Sequence, residues 1–84
     1  MPPTAWEVDA AGAKLVIDLQ SNNAGTEFYA SIQPFRVSVT ARMPAKFEET
    51  ALDDAIRAYE EAGHPPMPWD EIKRALRADG AFGH

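Results

Sequence analysis

The chain alternates apolar and polar residues four times in its first half and then changes period. Trp6, Val8 and Ala10 fall on one side of Glu7 and Asp9, the two-residue period of a half-buried strand. Lys14 to Gln20 repeats the pattern, with Leu15, Ile17 and Leu19 inward and Lys14, Asp18 and Gln20 outward. Asp9-Ala10-Ala11-Gly12 between them is turn chemistry and predicts a hairpin. Ser21-Asn22-Asn23-Ala24-Gly25 reads as a loop. Glu27 to Gln33 is a third strand, with Phe28, Ala30 and Ile32 inward. Pro34 cannot donate to a ladder, so it marks a bulge, an edge or a break. Phe35, Val37, Val39, Ala41 and Met43 then alternate with Arg36, Ser38, Thr40 and Arg42 in a fourth strand that Pro44 closes.

After Pro44 the period lengthens. Leu52, Ala55, Ile56 and Tyr59 follow helical spacing and predict a helix over 50–62, with Asp53, Asp54, Arg57, Glu60 and Glu61 facing solvent. Thr50 is the expected N-cap, with Asp53 as an acidic variant of the capping box. Gly63 supplies a C-terminal stop, and Pro65 and Pro66 prevent continuation. A second helix is predicted over 68–78, opened by Pro68. Its buried stripe is Trp69, Ile72 and Leu76; Asp70 and Glu71 suit its positive end, while Lys73, Arg74 and Arg77 lie toward its negative end. Gly80 ends it. Strands followed by helices predict an α+β domain, a three- or four-stranded antiparallel sheet with two helices packed on one face. Residues 1–84 form one domain, strand-rich over 1–46 and helical over 47–80.

Charge changes this picture most. Residues 1–46 balance Lys14, Arg36, Arg42 and Lys46 against Glu7, Asp9, Asp18 and Glu27. The net charge of −5 therefore comes from residues 47–84, above all from Glu48, Glu49, Asp53, Asp54, Glu60 and Glu61 around the lone Arg57. An acidic helix favours a basic partner and repels a phosphate backbone, which argues against direct nucleic-acid binding. The chain has no cysteine, which fits a reducing compartment such as the cytosol and removes thiol nucleophiles and Cys-based metal sites. Apolar runs such as Leu15-Val16-Ile17 are too short to span a membrane, and the first residues lack the basic and apolar regions of a signal peptide. With 45% apolar residues, two Trp, four Phe and two Tyr, the composition is that of a folded domain.

Candidate chemistry is sparse. His64 sits in a Gly-His-Pro-Pro turn and His84 ends the chain; both read as solvated loop histidines. The pairs Glu48/Glu49, Asp53/Asp54, Glu60/Glu61 and Asp70/Glu71 are adjacent in helices, so each pair diverges by about 100° instead of converging on a substrate. Ser-His-Asp arrangements, phosphate-binding glycine loops and Walker-type lysines are absent, so the expectation is a non-catalytic protein without a metal or cofactor. The fourth strand's outward row, Arg36, Ser38, Thr40 and Arg42, is the candidate for contacting DNA. Strand 35–43 followed by helices 50–62 and 68–78 resembles a ribbon–helix–helix unit, which implies a DNA-binding homodimer. The proline-rich connection Gly63 to Met67 and the acidic first helix depart from that family.

Ala51 to Leu76 resembles the C-terminal region of small bacterial type II antitoxins. The carrying residues are Asp54-Ala55-Ile56-Arg57-Ala58-Tyr59-Glu60-Glu61, then Pro68-Trp69-Asp70-Glu71-Ile72-Lys73-Arg74-Ala75-Leu76. The resemblance implies two helices that wrap and mask a basic toxin. Size, acidity and lack of cysteine also resemble phage-encoded inhibitors of bacterial defence, anti-CRISPR proteins among them, whose carboxylates stand in for phosphates. Both resemblances imply a cytoplasmic binder of a basic protein or ribonucleoprotein. Contact is expected through Glu48, Glu49, Asp53, Asp54, Arg57, Glu60 and Glu61, with Tyr59, Met67 and Trp69 as apolar anchors. Trp69 doubles as a core candidate, and Trp6 as core or interface.

Overall fold

In the computed structural model, which describes residues 4–22, 24, 26–42 and 48–82, four strands form one antiparallel sheet in the order β1-β2-β3-β4. They are β1 (Ala5–Ala10), β2 (Ala13–Ser21), β3 (Glu27–Gln33) and β4 (Val37–Arg42), followed by α1 (Glu48–Glu61) and α2 (Trp69–Ala78). The fold is α+β, with both helices on one face of the sheet.

Register explains the alternation. Trp6 pairs with Ile17, Ile17 with Ile32 and Ile32 with Val37, so one apolar row crosses the whole sheet. Leu15, Ile17, Leu19, Phe28, Ala30, Ile32, Val37 and Ala41 are buried on that face. α1 lies across β3 and β4 and reaches β2, adding Ala51, Leu52, Ala55, Ile56 and Tyr59 to the core. α2 contributes Trp69, Ile72 and Leu76, and touches the sheet chiefly at β1. The opposite sheet face carries Glu7, Lys14, Asp18, Gln20, Tyr29, Ser38 and Thr40 around a buried Ser31, and no helix among the described residues covers it.

Connections follow their local chemistry. β1 and β2 join through two residues, Ala11 (φ 52) and Gly12 (φ 79), the double left-handed geometry of a type I′ turn. The turn thus centres one residue later than Asp9-Ala10-Ala11-Gly12 predicts. Asn22 organises the next loop: its Oδ1 accepts from the Thr26 and Glu27 amides at 2.9 and 3.2 Å, and its Nδ2 donates to Thr26 Oγ1 at 3.0 Å. The Gln33–Pro34 peptide is cis, and Arg36 adopts φ 60. β4 begins at Val37, and Phe35 and Arg36 belong to a turn instead of the predicted strand. Met43 and Pro44 lie outside the described residues.

α1 starts at Glu48, two residues before the expected cap, so Thr50 lies inside the first turn and the predicted capping box does not apply. Gly63 (φ 79) ends α1 as the sequence predicts, its amide donating to the Glu60 carbonyl at 3.0 Å. Pro68 is the N-cap of α2, just outside the helix that it was expected to open. At the far end Gly80 donates to Arg77 O at 3.1 Å and Ala81 to Leu76 O at 2.9 Å, a Schellman motif. That turn returns the chain onto the domain, where Ala81 and Phe82 are buried and the Arg77 guanidinium lies 5.6 Å from the Phe82 ring centre.

Candidate functional site

The acidic helix packs on the sheet, and its charged side chains pair mainly with α2. Lys73 Nζ lies 2.7 Å from Asp53 Oδ1 and 3.2 Å from Glu49 Oε2, and Arg77 Nη2 lies 2.9 Å from the same Glu49 oxygen. Arg57 pairs with Asp54 at 3.1 Å, one turn away on α1. These contacts run antiparallel, 49 to 77 and 53 to 73, so α1 and α2 form a hairpin clasped by its own charges. Burial alone would raise the pKa of Glu49; hydrogen bonds from Lys73 and Arg77, with their positive charges, outweigh it and hold the carboxyl below its ordinary value. The hydrogen bond to Asp53 is the main cause raising Lys73 above the usual lysine value, opposed by burial and reinforced by Glu49.

This placement divides the predicted contact residues by what each already touches. Glu49 and Asp53 stitch the two helices together, and Asp54 already holds Arg57. Glu48 opens α1, but its side chain lies outside the described residues. Tyr59 is fully buried and Trp69 nearly so, which removes both as exposed anchors. Their rings meet edge to face at 5.1 Å, and the Tyr59 hydroxyl donates to the Pro65 carbonyl, tying the proline-rich connection onto α1. Burial raises the Tyr59 pKa above that of a free phenol. The Trp69 indole N–H is buried without an acceptor among the described residues. His64, predicted to be solvated, is half-buried, its ring centre 5.0 Å from those of both Phe35 and Tyr59. His84 lies outside the described residues.

Glu60 and Glu61 remain exposed at the end of α1, and no basic partner reaches them among the described residues. The hairpin brings them to the same end as Asp70 and Glu71, which are exposed in the first turn of α2. Met67, half-buried, lies in a shallow depression that it shares with Pro68, Trp69, Asp70 and Glu71. Of the predicted contact residues, Glu60, Glu61 and Met67 are therefore available at this end. Asp70 and Glu71 join them, two residues that sequence reasoning assigned only to the helix dipole. The signal that could have found them is their position directly after the connection, opposite the last turn of α1.

The alternative DNA-reading row is not continuous. Ser38 and Thr40 are exposed on the open sheet face, whereas Arg36 stands in the β3–β4 turn with left-handed backbone. Arg42 ends β4, opposite Glu27 in register, and its side chain lies outside the described residues. β4 is also paired to β3 within its own chain, unlike the two-chain ribbon that the ribbon–helix–helix resemblance requires. Among the described residues, no group of three or more His, Asp or Glu side chains is placed to hold a cation, and no helix is long and apolar enough to cross a membrane. No family model, curated protein or solved structure matches this chain.

Proposed function

We propose that the protein is a non-catalytic, cytosolic binding protein that neutralises a basic macromolecular partner, in the manner of an antitoxin. The observation that carries this reading is the division of labour among its carboxylates. Glu49, Asp53 and Asp54 are occupied within the helical layer, while Glu60 and Glu61 at the end of α1 and Asp70 and Glu71 at the start of α2 are exposed without a basic partner among the described residues, the latter two beside the half-exposed Met67. A cluster of like charges at one end repels itself, and a basic partner relieves that repulsion. It also speeds association with such a partner and keeps phosphate backbones away. Met67 supplies the apolar contact that charge alone does not. Co-purification with a tagged chain expressed in a bacterial host tests the reading. The expected result is one stoichiometric basic protein or ribonucleoprotein, retained in low salt and released in high salt. Recovery of the chain alone, or with DNA fragments, would refute it.

A further inference from the structure

The edge of the sheet beside the acidic end is unfinished. β1 pairs only with β2, and its outer side meets no other strand among the described residues. The Leu19 amide donates to the Thr4 carbonyl at 2.8 Å, which sets the phase of the ladder. In an antiparallel pair the hydrogen-bonded positions alternate, so Trp6, Val8 and Ala10 direct their backbone groups to β2. Ala5, Glu7 and Asp9 direct theirs outward, where no described group meets them.

The same strand is incompletely covered on its helix side. Trp6, Val8 and Ala10 are half-buried, whereas Leu15, Ile17, Ala30 and Ile32 further into the sheet are fully enclosed. Between the β1–β2 hairpin and α2 runs a groove lined by Val8, Asp9, Ala10, Pro68, Glu71 and Ala75. Its floor is apolar and its charged lining is wholly acidic. Lys14, the nearest base on this hairpin, lies 3.8 Å from Glu7 on the open face.

We propose that β1 accepts an extended segment of the basic partner as a fifth strand, seated in the groove under α2. Residues of an added strand alternate between the two sheet faces. Those directed under α2 would pack on Trp6, Val8 and Ala10 and must be apolar. Those directed to the open face would lie beside Glu7 and Asp9, two carboxylates that share the single base Lys14, and lysine or arginine there balances the remaining charge. The partner segment is therefore an alternating apolar–basic strand, closed at the groove's end by a cation against Glu71. A second copy of this chain fits poorly, because two β1 edges would set Glu7 and Asp9 against their own counterparts. This inference rests on the basic-partner reading and adds the mode of docking.

The test uses the intact chain and a short soluble peptide alternating valine and lysine, with its valine–glutamate counterpart as control. Affinity is read by calorimetry, and contact by amide exchange in NMR. The lysine peptide should bind, the glutamate peptide should not, and the Glu7 and Asp9 amides should become protected on binding. Glu7→Ala removes one charge, and Glu7→Pro removes the charge and the outward N–H, which donates to no group among the described residues. Glu7→Pro should bind at least tenfold more weakly than Glu7→Ala, with unchanged circular dichroism for both variants. Equal affinities would overturn strand addition while leaving the basic-partner reading intact. Protection of Glu7 and Asp9 without peptide, rising with protein concentration, would overturn it in favour of self-association. Loss of all lysine-peptide binding on neutralising Glu60, Glu61 and Asp70, with Glu7→Pro silent, would place docking at the acidic end alone.

Discussion

Replacing Lys73 with Met removes the ammonium that joins Asp53 and Glu49 while keeping most of the apolar stem. Side-chain exposure is 21% for Lys73, 29% for Glu49 and 48% for Asp53, so solvent screens both pairs in part and the Asp53 pair more. Exposed pairs contribute about 0.2–1 kcal/mol, and two contacts at roughly half a kcal/mol each give about 1 kcal/mol for the substitution. For a domain of this size that loss lowers the melting temperature by about 4–8 °C. The pH dependence follows from the two shifts. The folded pKa of Glu49 lies below its ordinary 4.5, so its contribution is complete above that value and is lost as pH falls through the folded pKa. That of Lys73 lies above 10.5, so its contribution is complete below that value and is lost as pH rises through the folded pKa. Thermal melts of Lys73→Met and the parent, followed by circular dichroism, should differ most between those limits and in low salt. The two proteins should converge in strong acid. Identical melts at neutral pH, or a difference that persists in strong acid, would refute the charge clasp and leave stem packing as the role of Lys73.

Three further substitutions probe the frame that holds the site. Ala11→Asn places a residue tolerant of left-handed backbone in the first central position of the hairpin turn and should raise stability by about 1 kcal/mol in a denaturant titration. Phe82→Ala should cost about 2–3 kcal/mol by the same titration, because the ring is buried against the domain beyond the end of α2. Asn22→Ala deletes three loop hydrogen bonds at an exposed site and should cost about 1 kcal/mol, with local loss of amide protection at Thr26 and Glu27.

The strands were legible because their period is short and each apolar residue reports its own face: Leu15, Ile17 and Leu19 lie where alternation puts them. The helical stripes were equally plain, and Tyr59 and Trp69 follow them into the core and not to an interface. Alternation overran β4 at Phe35 and Arg36 because apolar–polar order does not encode a left-handed turn residue. The Ala81-Phe82 return was missed because two residues after a helix stop carry no period. The acidic face was visible as composition, but its division into clasped and free carboxylates depends on partners such as Arg77 and Glu49, 28 residues apart in sequence. Only the antiparallel docking of α2 on α1 reveals it.

The central claim is that the free carboxylates at the hairpin end, and not acidity in general, capture a basic partner. Neutralising Glu60, Glu61, Asp70 and Glu71 to their amides tests it directly against a control in which Gln20, Gln33, Ser38 and Thr40 on or near the open sheet face become Lys. Both variants change the net charge by the same amount. Quantitative co-purification in low salt should lose the partner from the first variant and keep it with the second. Retention by the first variant, or equal loss from both, would contradict the account.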